Sequence, residues 1–330
     1  MWRRGQHPQR PDASVSPAHV AAAQSLHVAA VDSNTTLVVS AFKTRGVLCL
    51  LLKGPTFSRW LYHEEGARPY TDTDLLVASD QVQLAEDTLI GIGFGKVLDS
   101  TDQPAHACHS HVWRRPSEGT EVDLHWSLDG VEASSEELWR ELSTRSERIW
   151  VAGAEIDGLG TAARTFHTAL HAAQHGPHNP KSLEDLRRAL AQCNEETWVE
   201  AAEMAERLQA SSAFGTGLRM LSAGSQLAGR LGVPENSSVI VALRADARPQ
   251  AMTLGMHHLA ETKGARGRLK VLWSALWPSA QFMRACFPLA RKGRVGLGLA
   301  RLWRPVWLVL HAPRAFASVR AARRQLDGPT

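Results

Sequence analysis

The chain has 330 residues, 44% hydrophobic and 21% charged, with a formal net charge of +4. That balance excludes a disordered or fibrous chain and leaves room for more than one domain. Four widely spaced cysteines, Cys49, Cys108, Cys193 and Cys286, form no C-x-x-C pair, which argues against a zinc site or disulfide framework and fits a reducing cytoplasm.

The first residues, "MWRRGQHPQRPDASVSP", are basic and Pro-rich, lack an apolar signal core, and read as a disordered N-terminus over 1–17. Residues 18–43 predict one or two helices, broken near "DSNTT", with Asp32 or Ser33 capping the second. "GVLCLLLKG" is a short apolar run ended by Gly54, as in a buried strand. "PTFSRWLYHEEG" then predicts a helix between Pro55 and Gly66. "TDTDLLVAS" predicts a second strand and "DQVQLAEDTLIGIGFG" a helix capped by Ser79 or Asp80. Residues 108–115 and 120–128 predict two strands joined by the turn-forming "PSEG". From Thr161 the pattern is helical, with four candidates: "TAARTFHTALHAAQHG", "SLEDLRRALAQC", "EETWVEAAEMAERLQ" and "SAFGTGLRMLSAGSQLAGRLG".

The second strand raises a question of charge. Side chains alternate along a strand, so Asp72 and Asp74 share a face, as do Glu121, Asp123 and His125 in "TEVDLHW". If those faces meet in one sheet, Asp72, Asp74 and Asp123 form a three-carboxylate cluster. Carboxylates that close require a counter-charge, which magnesium supplies together with affinity for substrate phosphates. Gly54 at a strand-to-helix junction permits close backbone approach to phosphate. Lys53 and Arg68 are candidate phosphate neighbours, although Lys53 equally fits a structural lysine and Arg68 a surface residue. His125 is a candidate partner of Asp123 or a packing residue beside Trp126. His167, His171 and His175 fall on one helix face. His171 and His175 are candidate cleft contacts, with Asp185 behind them, or structural histidines.

The ordered set "LLLKGPTFSRWLYHEEGARPYTDTDLLV", "IGFGKV" and "TEVDLHWSL" resembles the uncharacterised nucleotidyltransferase family of the polymerase-beta-like nucleotidyltransferase superfamily. The carrying pattern is LKG, R-x-x-x-D-x-D-L-L-V and D-L-H-W, with "ALHAAQHG" and "LEDLRRAL" downstream. It covers Ser40 to Leu190 well and the remainder loosely. The resemblance implies an α+β fold, a mixed sheet with helices followed by a helical C-terminal region. It also implies transfer of a nucleoside monophosphate from a nucleoside triphosphate with Mg²⁺, Mn²⁺ serving as an alternative. Asp72, Asp74 and Asp123 would then be catalytic metal ligands, and Lys53, Gly54, Thr56 and Arg68 nucleotide-binding residues. Pro55 departs from the superfamily's Gly-Gly or Gly-Ser, removes an N–H donor, and leaves Thr56 in the serine's role. The acceptor stays open among a small molecule, a peptide natural product, a protein and a tRNA end. Two competing classes are a toxin-like enzyme that modifies tRNA and a non-catalytic nucleotide-binding protein of the same fold.

The domain reading is a nucleotidyltransferase core over 18–158, a helical domain over 159–260 and a basic Trp/Arg-rich segment over 261–330. From Thr262 to Thr330, fourteen Lys and Arg face one acid, Asp327, so this segment carries +13 and the rest of the chain −9. Arg301, Arg304 and Pro305 interrupt its apolar run, which rules against a transmembrane span. Packing onto the acidic body, an amphipathic surface helix and polyanion binding all fit its composition.

Overall fold

The computed structural model describes residues 17–62, 68–97, 109–116 and 119–234, then short stretches from 252 together with 264–278 and 287–326. The N-terminal segment, Gly66, Cys108, Cys286 and the centre of the "PSEG" turn lie outside the described residues. The sheet has seven strands: β1 (Cys49–Leu51), β2 (Asp72–Val77), β3 (Gly95–Lys96), β4 (Ser110–Arg115), β5 (Thr120–His125), β6 (Ser146–Val151) and β7 (Ala154–Leu159), in the order β3-β4-β5-β2-β1-β7-β6. It is mixed: β2 runs parallel to β5 and β1 to β7, and the other neighbours are antiparallel.

Each face of the sheet buries its own core. On one side Leu75, Val77, Val122 and Leu124 pack with Val38 and Phe42 of α1 (Pro17–Thr44) and with Ala85 and Leu89 of α3 (Val82–Gly91). On the other, Leu50, Leu52 and Leu76 meet Phe57 of α2 (Pro55–Leu61) and Phe166 of α5 (Thr161–His175). Around α5 gather α4 (Ser135–Ser143), α6 (Pro180–Gln192), α7 (Glu195–Arg207), α8 (Ser211–Leu218) and α9 (Ser222–Arg230). Trp198 and Phe214 fill this helical core. Two further helices, α10 (Ala265–Leu276) and α11 (Gly293–Leu326), carry the basic segment.

Three expectations are corrected. Residues 18–43 form part of one unbroken helix, because the polar residues expected to break it find partners in the sheet and in the segment entering β2. Thr35 bonds Thr73 at 2.8 Å, Thr36 donates to the Val151 carbonyl at 3.0 Å, and Asp32 accepts from the Tyr70 hydroxyl at 2.6 Å. The last helical candidate divides at Met220 and Leu221 into α8 and α9. There Gly217 lies so close to α5 that a Cβ would stand 1.8 Å from the Ala169 carbonyl oxygen. The β6–β7 hairpin and α4 are additional elements. The hairpin turns on Ala152 (φ 44°) and Gly153 (φ 82°), which matches the twist of a two-residue connection. A capping box between Ser134 and Glu137 starts α4.

Candidate active site

The parallel pairing of β2 and β5 sets Asp72 opposite Glu121, Asp74 opposite Asp123 and Leu76 opposite His125. Paired residues project to the same side, so the acidic faces meet on the sheet face that α5 covers. The result is a cavity of about 320 Å³ lined by Asp72, Asp74, Asp123, His125, Lys53 and Gly54 from the sheet side. His167, His171 and His175 of α5 close it from the helical side, with Lys181 at the start of α6.

Asp74 is the centre of charge. It is 2% exposed, and two groups converge on its Oδ1: the Lys53 ammonium at 2.9 Å and His125 Nε2 at 3.4 Å. Although burial alone would raise its pKa, Lys53 and His125 hold this carboxyl well below its ordinary value. Asp72 and Asp123 have no ion-pair partner among the described residues. Burial, then the charge of Asp74, raises both, Asp123 to about 6. Three carboxylates with only Lys53 ion-paired among them in the described residues leave negative charge uncompensated, and an oxygen-rich donor set of that kind fits a hard divalent cation.

The tightest set of ligand atoms is Asp74, Asp123 and His125, all within 4.8 Å of one another. Asp72 lines the same cavity but stands outside this trio, because two residues along a strand separate it from Asp74 by about 7 Å. His125 turns to Asp74 and not to Asp123, while its ring stacks on His109 at 5.9 Å. Trp126 lies beyond the strand and meets His111 edge-on at 4.5 Å.

Several expected nucleotide contacts have other partners. The Thr56 hydroxyl is buried and donates to the carbonyls of Leu52 and Lys53 at 3.2 and 3.0 Å, so it is not turned towards a phosphate. Gly54 lines the cavity at φ 66°, a conformation that favours glycine, and an added Cβ would touch the Tyr70 ring at 3.4 Å. Arg68 reaches the cavity wall, yet its Nε and Nη2 donate to Asp185 at 2.8 and 2.7 Å. Asp185 is fully buried, also accepts from Tyr62 at 2.7 Å, and is therefore a structural partner of Arg68 rather than a cleft contact.

Residues not anticipated from the sequence complete the wall. Lys181 follows the N-cap Asn179, lines the cavity and makes no ion pair among the described residues. Burial and the charge of Arg68 lower its pKa. Opposite, Asp129 accepts from Gln174 at 2.5 Å and lies 3.3 Å from His109. The Asn179-Pro180 pair was a readable helix start; nothing in the local sequence marked Asp129 or Gln174.

The α5 histidines give the site a pH dependence. Burial first, and the Lys53 charge second, push His167 down to about 3 and His171 well below 6.5. Both are neutral in the folded protein, whereas the unfolded chain takes up protons below 6.5. Stability is therefore fully present above that pH and is lost as pH falls beneath it. The loss is roughly 1.4 kcal/mol per pH unit for each group. Asp72 and Asp123, both raised in the fold, act in the opposite sense, but from ordinary values near 4, so their effect falls mostly below the histidine range. Urea midpoints without divalent cations should drop between about pH 7 and 5. His167→Gln with His171→Gln should flatten the dependence, and an unchanged slope would contradict it.

The chain matches the family described as uncharacterised nucleotidyltransferases over residues 7–223. The chain belongs to that family. It is a nucleotidyltransferase, and the paired strands that carry its acidic residues fall within the matched segment. Solved structures similar to this nucleotidyltransferase include the antibiotic-resistance factor ANT(2'')-Ia in solution, at 16% identity over 55% of this chain and 95% of that one, with a TM-score of 0.39. The crystal structure of ANT(2'')-Ia with adenylyl-2''-tobramycin is similar at 16% identity over 53% and 98%, TM-score 0.38. An antigenic nucleotidyltransferase-like protein from Paracoccidioides brasiliensis is similar at 13% identity over 58% and 94%, TM-score 0.35. No protein of curated function shows significant similarity to the chain.

Proposed function

We propose that the protein transfers a nucleoside monophosphate from a nucleoside triphosphate to an acceptor oxygen. Asp72, Asp74 and Asp123 would hold a divalent cation, magnesium or manganese. The carrying observation is the convergence of these carboxylates on one cavity, where Lys53 is the lysine ion-paired with them among the described residues. When bound, the cation supplies the positive charge that the triphosphate and the developing pyrophosphate need. His125 and Lys53 fix the rotamer of Asp74. Asp123, facing the same cavity, takes the proton of the acceptor hydroxyl. The acceptor oxygen bonds to the α-phosphorus, the bond to the bridging oxygen breaks, and pyrophosphate leaves with its electron pair. The acceptor would enter beside Asp129, Gln174 and His109, a wall suited to a polar, hydroxyl-bearing molecule. A small metabolite, a peptide natural product and a tRNA end all carry such a group. The proposed division is a catalytic core over 18–158, a helical domain over 159–260 and the basic segment over 261–330, in a cytoplasmic enzyme.

The nucleotide phosphates would meet Lys181 more readily than Arg68, because Arg68 is held by Asp185 and Lys181 has no ion-pair partner among the described residues. Calorimetry with each nucleoside triphosphate, with and without Mg²⁺, tests this reading. Binding should require the metal, and Lys181→Met should weaken it roughly tenfold, as for one charge-assisted contact. Affinity indifferent to metal would overturn the cation assignment. Affinity indifferent to Lys181→Met would overturn the assignment of that lysine.

A further inference from the structure

The basic segment is built inside out for a helix in water. Along α11, Ala300, Arg304 and Ala315 are buried on the inner face. Arg304 donates to the Ala275 carbonyl of α10 at 2.6 Å and lies over the Phe287 ring, while Arg301 lies over Trp277. The outer face is apolar. Val295, Leu302 and Val309 are 77%, 70% and 72% exposed, and Leu299, Val306 and Leu310 continue the stripe at helical spacing. On α10, Leu269, Leu272 and Trp273 are exposed in the same way. Packing onto the acidic body, one sequence expectation, would have covered this stripe; the structure leaves it open. Exposed cations bracket it, Lys292 and Arg294 before, Arg314 and Arg320 after, and residues 262–326 contain no acid.

We propose that α10 and α11 lie flat on a bilayer surface containing anionic phospholipid. The outer stripe would enter the acyl boundary and the flanking cations would meet headgroups. Patches of this extent on a water-facing helix mark an interaction site, and an apolar face with basic flanks and tryptophans is the pattern of an interfacial helix. No helix among the described residues is long and apolar enough to cross a membrane, so the helix lies on the surface. At about 1.5 Å per residue, the stripe from Val295 to Phe316 runs roughly 30 Å in the membrane plane. RNA is disfavoured because Arg301 and Arg304 turn inward and leave the middle of the outer face without charge. A symmetric dimer through this face would set cations against cations with no acid to meet them. The inference is independent of the nucleotide reading and concerns residues beyond the family match.

Flotation of the full chain with phosphatidylcholine vesicles, with and without phosphatidylglycerol, tests the proposal. The protein should float with the anionic vesicles and far less with neutral ones. Leu302→Glu with Val309→Glu should lower the bound fraction about tenfold or more, and Arg294→Gln with Arg314→Gln should weaken binding at low salt and reduce its salt sensitivity. A far-UV circular dichroism spectrum and urea midpoint unchanged in these variants show that they remain folded. No flotation with anionic vesicles would overturn the proposal. So would equal binding to both vesicle types, self-association dissolved by the glutamate substitutions, or RNA binding in place of lipid binding.

Discussion

Asp123→Asn is expected to abolish nucleotidyl transfer and leave the protein at least as stable as the parent in metal-free buffer. The two effects share a cause. Asp123 is pushed up to about 6 by burial and by Asp74, so its ionised form is held at an energetic cost near neutral pH. Replacing it with a neutral amide of the same shape relieves that repulsion. It also removes a proposed cation ligand and the proposed proton acceptor. The expected loss in rate is on the order of a thousandfold or more, the range found when one preorganised charge is removed from a reacting site. Pyrophosphate release measures the first effect and thermal unfolding with and without Mg²⁺ the second. Mg²⁺ should raise the melting temperature of the parent and not that of the variant. A variant that keeps full transfer would remove Asp123 from the chemistry. A variant markedly less stable in metal-free buffer would mean that its carboxylate stabilises the fold.

The second large effect is on stability. Asp185→Ala should destabilise the protein by about 3–5 kcal/mol, because it leaves the Arg68 guanidinium buried and unpaired. The pair is bidentate, with side-chain exposures of 4% and 0%, and Asp185 also satisfies Tyr62. It ties α6 to the segment entering β2, so the change should also loosen Asp72 and Lys181. Arg68→Met with Asp185→Leu, which removes both charges, should recover much of the lost stability. Urea unfolding gives the comparison. A loss below about 1 kcal/mol in Asp185→Ala would place the pair in the class of solvated surface bridges.

The two-residue repeat of strands made the acidic core of the site readable. Asp72, Asp74 and Asp123 had to share sheet faces once β2 and β5 paired, and a single register slip would have separated them. Partner choice was not readable in the same way. Arg68 and Asp185 are 117 residues apart in the chain, and no local pattern distinguishes a cation held by a distant helix from one free to meet phosphate. Thr56 was placed by analogy with a serine. Pro55 starts a helical turn that aims the Thr56 hydroxyl back at the Leu52 and Lys53 carbonyls. Residues 32–36 carry the turn-like composition of a helix break, and tertiary hydrogen bonds to Tyr70, Thr73 and Val151 override it. The β6–β7 hairpin turns on Ala152 and Gly153, without the Asn-Gly or Asp-Gly pair that signals such a turn. The apolar stripe of α11 was present in the sequence; which side it faces depends on Arg304 reaching Ala275.

On the proposed reading, the cavity between β2, β5 and α5 moves a nucleotidyl group. The most direct measurement follows label from nucleoside triphosphates carrying it in the α- or the γ-phosphate, with Mg²⁺ and fractionated lysate of the source organism. The α-label should become attached to one acceptor class as pyrophosphate appears, and Asp123→Asn should prevent both. Attachment of γ-label instead, or no transfer by folded protein that binds metal and nucleotide, would contradict it.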